Sequence, residues 1–348
     1  MEFKLETYEL QPSTGQLIKR DQIRQFKGLR VAQVKNNAGI MSYTISGFSK
    51  KATGQNLKRY TTVIALKYNK AIIFVGYIQN VIINHVGDNF DIRVEVQGQF
   101  GRLYKRFTRD IDKYNSLDAG EIAWQLIEYT QSLPSGHLGI VKGEVQYTRN
   151  RDRTFENKVI GDAIVDLTEV IGGFDFRLEP VVENNNDLNS LSFNVYESFG
   201  AIKLSIPTLN LGGNVTAYEA MTREDVENVV VYKGAGTGDD FVTYVAENTQ
   251  SQESYSRNEA FILRDDISVL ATLEEHANRR VDKYKDNIWT IDVAIKPDSN
   301  LVFRSFDIGD TIPINISTFQ GLAECIGIEF LVDENGVIEW LARLEYIS

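Results

Sequence analysis

Catalysis needs side chains whose proton affinity or nucleophilicity can be tuned, and this chain offers only three histidines and one cysteine in 348 residues. His85 stands at the end of a strand pattern, His137 in a loop, and His276 on a helix pattern behind Glu274 and Glu275. No second histidine lies one helical turn away, so the two-histidine zinc arrangement is absent and His276 reads as a solvated helix residue. Cys325, inside AECIGIEFL, reads as a buried inert thiol in a strand. A lone cysteine excludes both an intramolecular disulfide and a thiolate metal cluster. The GAGTG run at 234–238 has the glycines of a phosphate cradle, but no Lys-Ser or Lys-Thr and no helix follow it. It reads as a flexible hairpin tip carrying Asp239 and Asp240. The polar run Glu183, Asn184, Asn185, Asn186, Asp187 lacks the alternate carboxylates and the glycine of a calcium loop and reads as plain surface. Carboxylates are plentiful, and two of them about 5–10 Å apart would suffice for glycan hydrolysis, yet nothing in the sequence selects a pair. No catalytic, cofactor-binding or metal residue is nominated, and no cofactor is expected.

Basic residues gather twice: Arg102, Lys105, Arg106 and Arg109 interleaved with Leu103, Tyr104 and Phe107, and then Arg149, Arg151 and Arg153. Such runs serve as solvated faces, as docking sites for an acidic protein surface, or as phosphate contacts. The formal charge of −11 repels nucleic acid and anionic membrane over most of the surface, so the solvated face is the first reading and the acidic protein partner the second. No run reaches the roughly 20 apolar residues of a membrane helix, and MEFKLETYEL lacks the pattern of a signal peptide. No stable membrane association is expected.

The elements that would position these groups are mostly strands. Tyr60, Thr62, Ile64, Leu66 and Tyr68 lay out one apolar face, and Phe90, Ile92, Val94 and Val96 another, with period two. Between them Ala71–Ile83 predicts a strand, a bend at Gln79-Asn80 and a second strand, and Gly87-Asp88 signals a hairpin. A helix is predicted over 117–133, with Asn115 or Ser116 as N-cap and Pro134 and Gly136 as its stop. A second runs from Val159 through Ala163, Leu167, Val170 and Ile171 to Gly172-Gly173. Phe174–Leu178 and Leu191, Phe193, Val195 then read as partner strands across the polar loop.

Past residue 200, Val229–Tyr232 is a strand, and the stretch from Gly234 to Ser256 reads as one polar loop that assembly would order. A helix over 266–285 has Asp265 and Asp266 at its start and Arg279, Arg280, Lys283 and Lys285 near its end, which would complement its dipole. Trp289, Ile291, Val293 and Ile295 form a strand, and the turn Asp333, Glu334, Asn335, Gly336 closes a final hairpin. Trp124, Trp289 and Trp340 all sit in core patterns, which leaves no exposed aromatic platform for a sugar. The fold class is α+β, mainly β, in three units: 1–110, a β-domain; 111–200, a helix-containing α+β domain; and 201–348, a second β-domain with one helix.

Several of these stretches, in order, resemble the tail hub and minor tail proteins of long-tailed phages, relatives of the central hubs of contractile tails. They are IFVGYI at 73–78, LYKRF at 103–107, EIAWQLIEYTQ followed by GHLGIVKGE, RTFENKVIGDAIVDLTEVIGGFDFRL at 153–178, NVVVYKGAGTG at 228–238, LEEHANRRV at 273–281 and DIGDTIPI at 307–314. The resemblance implies antiparallel β-barrel or sandwich domains akin to tail-tube subunits, with a helix-containing insertion. It implies a homotrimeric ring at the tail tip of the virion, made in the host cytoplasm. Its implied neighbours are the distal tail protein, the tail tube protein, the tape measure protein and a central fibre or spike, with DNA only in transit. The acidic balance would suit a lumen that DNA crosses without sticking. Ending at Tyr346-Ile347-Ser348 without a fibre or hydrolase extension, the chain is expected to be structural and not an enzyme. A receptor- or carbohydrate-binding tail-tip module is the alternative, and a glycan hydrolase the more distant one.

Overall fold

The computed structural model describes residues 2–108, 112–169, 172–183, 185–222, 226–236, 240–265, 267–297, 301–333 and 335–347. The chain opens with a run of strands: β1 (Phe3–Leu10), β2 (Leu17–Ile23), β3 (Lys27–Val34), β4 (Ile40–Ser46), β5 (Thr62–Tyr68), β6 (Ala71–Val86) and β7 (Asn89–Gly98), closed by a 3₁₀ helix, Gln99–Lys105. Next come β8 (Asp112–Asp118), α1 (Ala119–Ser132), β9 (Ile140–Val145), β10 (Asn150–Phe155), α2 (Ile160–Thr168), β11 (Asp175–Val182) and β12 (Leu188–Tyr196). The rest is β13 (Leu209–Asn210), β14 (Val215–Thr222), β15 (Val229–Lys233), β16 (Thr243–Glu247), α3 (Thr249–Tyr255), β17 (Glu259–Leu263), α4 (Leu270–Tyr284), β18 (Trp289–Ile295), β19 (Thr311–Ile316), β20 (Phe319–Val332) and β21 (Ile338–Ile347). The architecture is mainly antiparallel β with α+β additions, in agreement with the patterning of the sequence.

One sheet of 13 strands joins the two ends of the chain in the order β14-β18-β21-β20-β3-β4-β7-β6-β5-β1-β2, with β19 and β13 branching from β20. The junction is the antiparallel pair β3–β20, in register from Val34 opposite Gly327 to Leu29 opposite Val332. A single apolar cluster lies beneath it, drawing Leu29, Val31, Tyr43 and Ile64 from one end of the chain and Ile291, Phe330 and Trp340 from the other. At its centre the ring of Phe303 meets Phe330 at 5.1 Å, Tyr68 at 5.2 Å and Trp340 at 5.6 Å, all edge-on, the geometry that aromatic quadrupoles favour.

Two additions hang on this sheet. In the first, β9 pairs parallel to β12 and β11 antiparallel to it. That sheet packs with α1 and α2 over Ile122, Ile127, Ile164, Phe176 and Phe193. In the second, β16-β15-β17 packs on α4 over Val230, Tyr232, Leu273, Ala277 and Val281.

Several expectations need correction. β6 is one 16-residue strand, because a bulge opposite Val96 and Glu95 absorbs Gln79 without breaking the pairing with β7. Tyr60 lies outside β5, in a turn with φ +64°. β5 buries both faces: Ile64 and Leu66 enter the main core, while Val63 and Ala65 pack with Tyr8, Leu10 and Leu188. The N-cap of α1 is Asp118, whose carboxylate accepts from the N–H of Gly120 (2.9 Å) and Glu121 (3.2 Å); Asn115 and Ser116 belong to β8. α4 begins at Leu270, so Asp265 lies ahead of its first turn, which holds no acid. The stretch 234–256 is not one loop but contains β16 and α3. Trp289 is 38% exposed at the rim of the sheet, unlike Trp124 and Trp340. Arg109, Val170, Ile171, Asn184, Asp266 and Glu334 lie outside the described residues.

Truncating the ring at the centre of the shared core measures how much holds the two ends together. Phe303→Ala should lower the unfolding free energy by about 3–5 kcal/mol, read as an earlier urea midpoint at unchanged slope. A loss below about 1 kcal/mol would show that the core closes without it.

Candidate functional site

The chemically versatile residues are scattered and mostly spoken for. Cys325 is buried in β20, its thiol donates to the Gly327 carbonyl, and burial pushes its pKa up, so it is inert as the sequence predicts. His85 is exposed beside Phe90 on the outer part of β6, and the His137 backbone N–H donates to the Pro12 carbonyl (3.0 Å). His276 corrects the sequence reading: it is 3% exposed, on the same α4 face as Leu273 and Ala277, and its Nε2 lies 2.9 Å from Nη2 of Arg153. Among the described residues no group of three or more His, Cys, Asp or Glu side chains is arranged to hold a metal ion.

The glycine run opens a β15–β16 hairpin, with Gly234 N–H donating to the Val242 carbonyl; Thr237, Gly238 and Asp239 lie outside the described residues. A polar cleft of about 380 Å³ is lined in part by Asn36, Arg177, Glu179, Arg304 and Asp307, drawn from distant parts of the chain. Its acids already have partners: Asp307 accepts from Arg304 at 2.8 Å, and Glu179 from Asn194 at 2.9 Å and Tyr196 at 3.3 Å. The motif DIGD shapes one wall. Gly309 has φ +88°, a Cβ there would lie 2.6 Å from Phe199, and the Asp310 carboxylate accepts from the N–H groups of Ala201 and Asp307, both at 2.8 Å.

The basic runs are solvated only in part: Lys105 and Arg149 are exposed, while other members turn inward. Arg102 donates to Gln99 and to the Tyr60 carbonyl and lies 4.2 Å from the Tyr77 ring centre, and burial holds its pKa down at about 10. Arg151 and Arg153 are buried; Arg149 and Arg151 both pair with Glu275 of α4. For Arg149 and Arg151 an acidic partner lies within the chain, in a residue far away in sequence.

The polar loop at 183–187 also works inward. Its Asn186 carbonyl accepts from Lys67 (2.6 Å), and its Asp187 carboxylate pairs with Lys19. Both lysines also reach Glu6, at 2.7 Å and 2.9 Å, and Tyr8 donates to Glu6 (2.7 Å) while accepting from the N–H of Leu188 (3.0 Å). Burial raises the Glu6 pKa, but hydrogen bonds from Lys67, Tyr8 and Lys19 outweigh it and leave the carboxyl below its ordinary value.

Among the described residues, the outer arm of β6 and the strand β14 each leave an edge of the large sheet unpaired. β6 pairs with β5 only as far as Tyr77, and from Asn80 to Val86 it pairs with β7 alone. This arm exposes aliphatic side chains on alternate residues of both faces, Ile82 by 44% and Ile83 and Val86 by 66% each. β14 pairs with β18 on one side, and its remaining contact among the described residues is a short bridge at Val215. The terminal edge β2 is different: it is bulged against β1, carries Lys19 and Arg20, and is tied to the polar loop, the devices by which edges are blunted.

No family model matches the sequence, and no curated protein does either. Solved structures match in shape. The tail protein from Neisseria meningitidis MC58 aligns at TM-score 0.63 and 12% identity over 99% of this chain and 97% of its own. The 43 kDa tail protein of prophage MuSo2 from Shewanella oneidensis aligns at 0.62 and 13% over 100% and 98%. Prophage tail protein gp18 from Listeria monocytogenes EGD-e aligns at 0.59 and 9% over 98% and 94%. The chain has the fold of phage tail proteins, along its whole length.

Glu6 tests the pin beneath the polar loop. Glu6→Ala leaves Lys67 buried without its charge partner and should cost about 3–5 kcal/mol in urea unfolding near neutral pH. Because the Glu6 pKa is lowered by folding, its stabilisation is full above the ordinary value of 4.5 and is lost as pH falls through the lowered one. Glu6→Gln should therefore lose part of the acid sensitivity of the native chain; an identical pH profile would reject the assignment.

Proposed function

We propose that the chain is a structural hub at the distal end of a phage tail, a homotrimeric ring that links tail tube and distal tail protein to a central fibre or spike. The observation that supports it best is the sheet itself. Two β-units of one chain are fused edge to edge through β3–β20, while the arm of β6 and the edge of β14 stay unpaired. Different edges on the same sheet make a heterologous contact, which closes into a ring when the rotation fits. In this reading units 1–110 and 201–348 build the ring, unit 111–200 braces it, and the acidic balance lets DNA pass in transit. The tape measure protein is a further neighbour, and the work is done by surfaces rather than by catalysis.

Light scattering of the purified chain, followed by imaging, tests this directly. A trimer with a central opening is expected. Ile83→Lys with Val86→Lys should shift it to monomer without lowering the urea midpoint, since both side chains are already exposed. A monomer at every concentration, alone and mixed with the distal tail protein, would overturn the hub reading.

A further inference from the structure

The second α+β addition, residues 226–286, and the first, residues 112–198, have separate apolar cores with no residue in common. Several ion pairs cross between them. Arg149 and Arg151 pair with Glu275, the first at 2.7 Å; Arg264 meets Asp166 at 3.3 Å; and Lys283 meets Glu169 at 3.6 Å. In their midst Arg153 donates to Nε2 of His276 at 2.9 Å, with both residues 3% exposed.

This last contact fixes a protonation state. A guanidinium only donates, so Nε2 must present its lone pair and the ring is neutral, with its proton on Nδ1. Among the described residues, the groups around it disfavour an imidazolium. β10 brings Arg151 and Arg153, the segment after β17 brings Arg264, and β15 brings Tyr232, whose ring centre lies 6.0 Å away. On α4 itself Glu275 is engaged by Arg149 and Arg151, and Arg280 by Glu227; α2 offers Asp166, which is engaged by Arg264. Burial and then the charges of Arg153, Arg264 and Arg151 accordingly push the His276 pKa far down.

We infer that residues 226–286 are a latched module, closed on residues 112–198 by the Arg153–His276 contact and its surrounding ion pairs, and released when His276 takes up a proton. Protonation at Nε2 sets N–H against N–H at hydrogen-bond distance and adds a positive charge to those of Arg153, Arg264 and Arg151. The proton is taken up in the open form, where the imidazole regains its ordinary value of 6.5. Closed-state stability is then constant above that pH, and the closed-to-open ratio falls about tenfold for each pH unit below it. Release bares Arg151 and Arg153, which the closed form buries beside the exposed Arg149. The latch belongs to the single chain and is independent of any ring.

Hydrogen exchange of the full chain between pH 7.5 and 5, corrected for intrinsic rates, reads the latch. Amides of β10 and of α4 at its contact face should lose protection about tenfold per pH unit below about 6.5, while those of β20 and β21 keep theirs. His276→Gln, which can still accept from Arg153 but does not titrate, should flatten the profile. Protection at β10 and α4 that is independent of pH, or that falls together with β20 and β21, would overturn the proposal in the native chain alone. So would a His276→Gln profile like that of the native protein.

Discussion

The pairing of β3 with β20 is the constraint on which the rest of the molecule depends. It brings Val34 beside Gly327, across nearly the whole chain, and no local pattern rewards it until both hairpins exist. Closing so large a loop costs entropy that grows only slowly with length, but the cost comes before the non-local contacts repay it. What repays it is the shared core, with Phe303 wedged between Phe330, Trp340 and Tyr68. Both α+β additions are then long excursions from a sheet whose order is already set.

The two kinds of adhesive have different consequences. Apolar burial beneath the large sheet is insensitive to pH and draws on strands from both ends of the chain. The additions are fastened partly by buried charge: Glu6 with Lys67 and Lys19 at one end, and Arg151 and Arg153 against α4 at the other. A buried ion pair adds little net stability over a well-packed apolar contact of the same shape, but breaking half of it is costly. Such contacts therefore specify where an addition sits more than they glue it there.

Much of this was legible in residue patterns, and the misses share a cause. Period-two runs located β5, β7, β11, β12 and β18, and the loop signals at Gly87 and Gly336 sit at positive φ in the turns they announced. Local patterns stop at the reach of one element. Alternation marked one face of β5, but what buries the other face is Leu188, more than a hundred residues on. His276 looked solvated because Glu274 and Glu275 precede it, although its spacing from Leu273 and Ala277 already put it on the apolar side of α4. The basic runs failed in the same way: charge density reads as surface until a distant acid such as Glu275 is placed opposite. The motif DIGD, quoted at first only for its likeness to other proteins, has a local reason in a tight turn whose two carboxylates cap backbone N–H groups.

The way the second addition joins the sheet has a consequence for the history of the chain. It leaves after Thr222 of β14 and returns at Trp289 of β18, and these two residues are direct register partners. Its own ends are tied as well, by the Glu227 N–H donating to the Tyr284 carbonyl. To the sheet, everything between is an overgrown hairpin turn. A segment bounded in this way can be lengthened, shortened or exchanged by recombination without moving a single strand of the frame. Variation between lineages has room to accumulate there, while the β14–β18 ladder holds the exchange points in place.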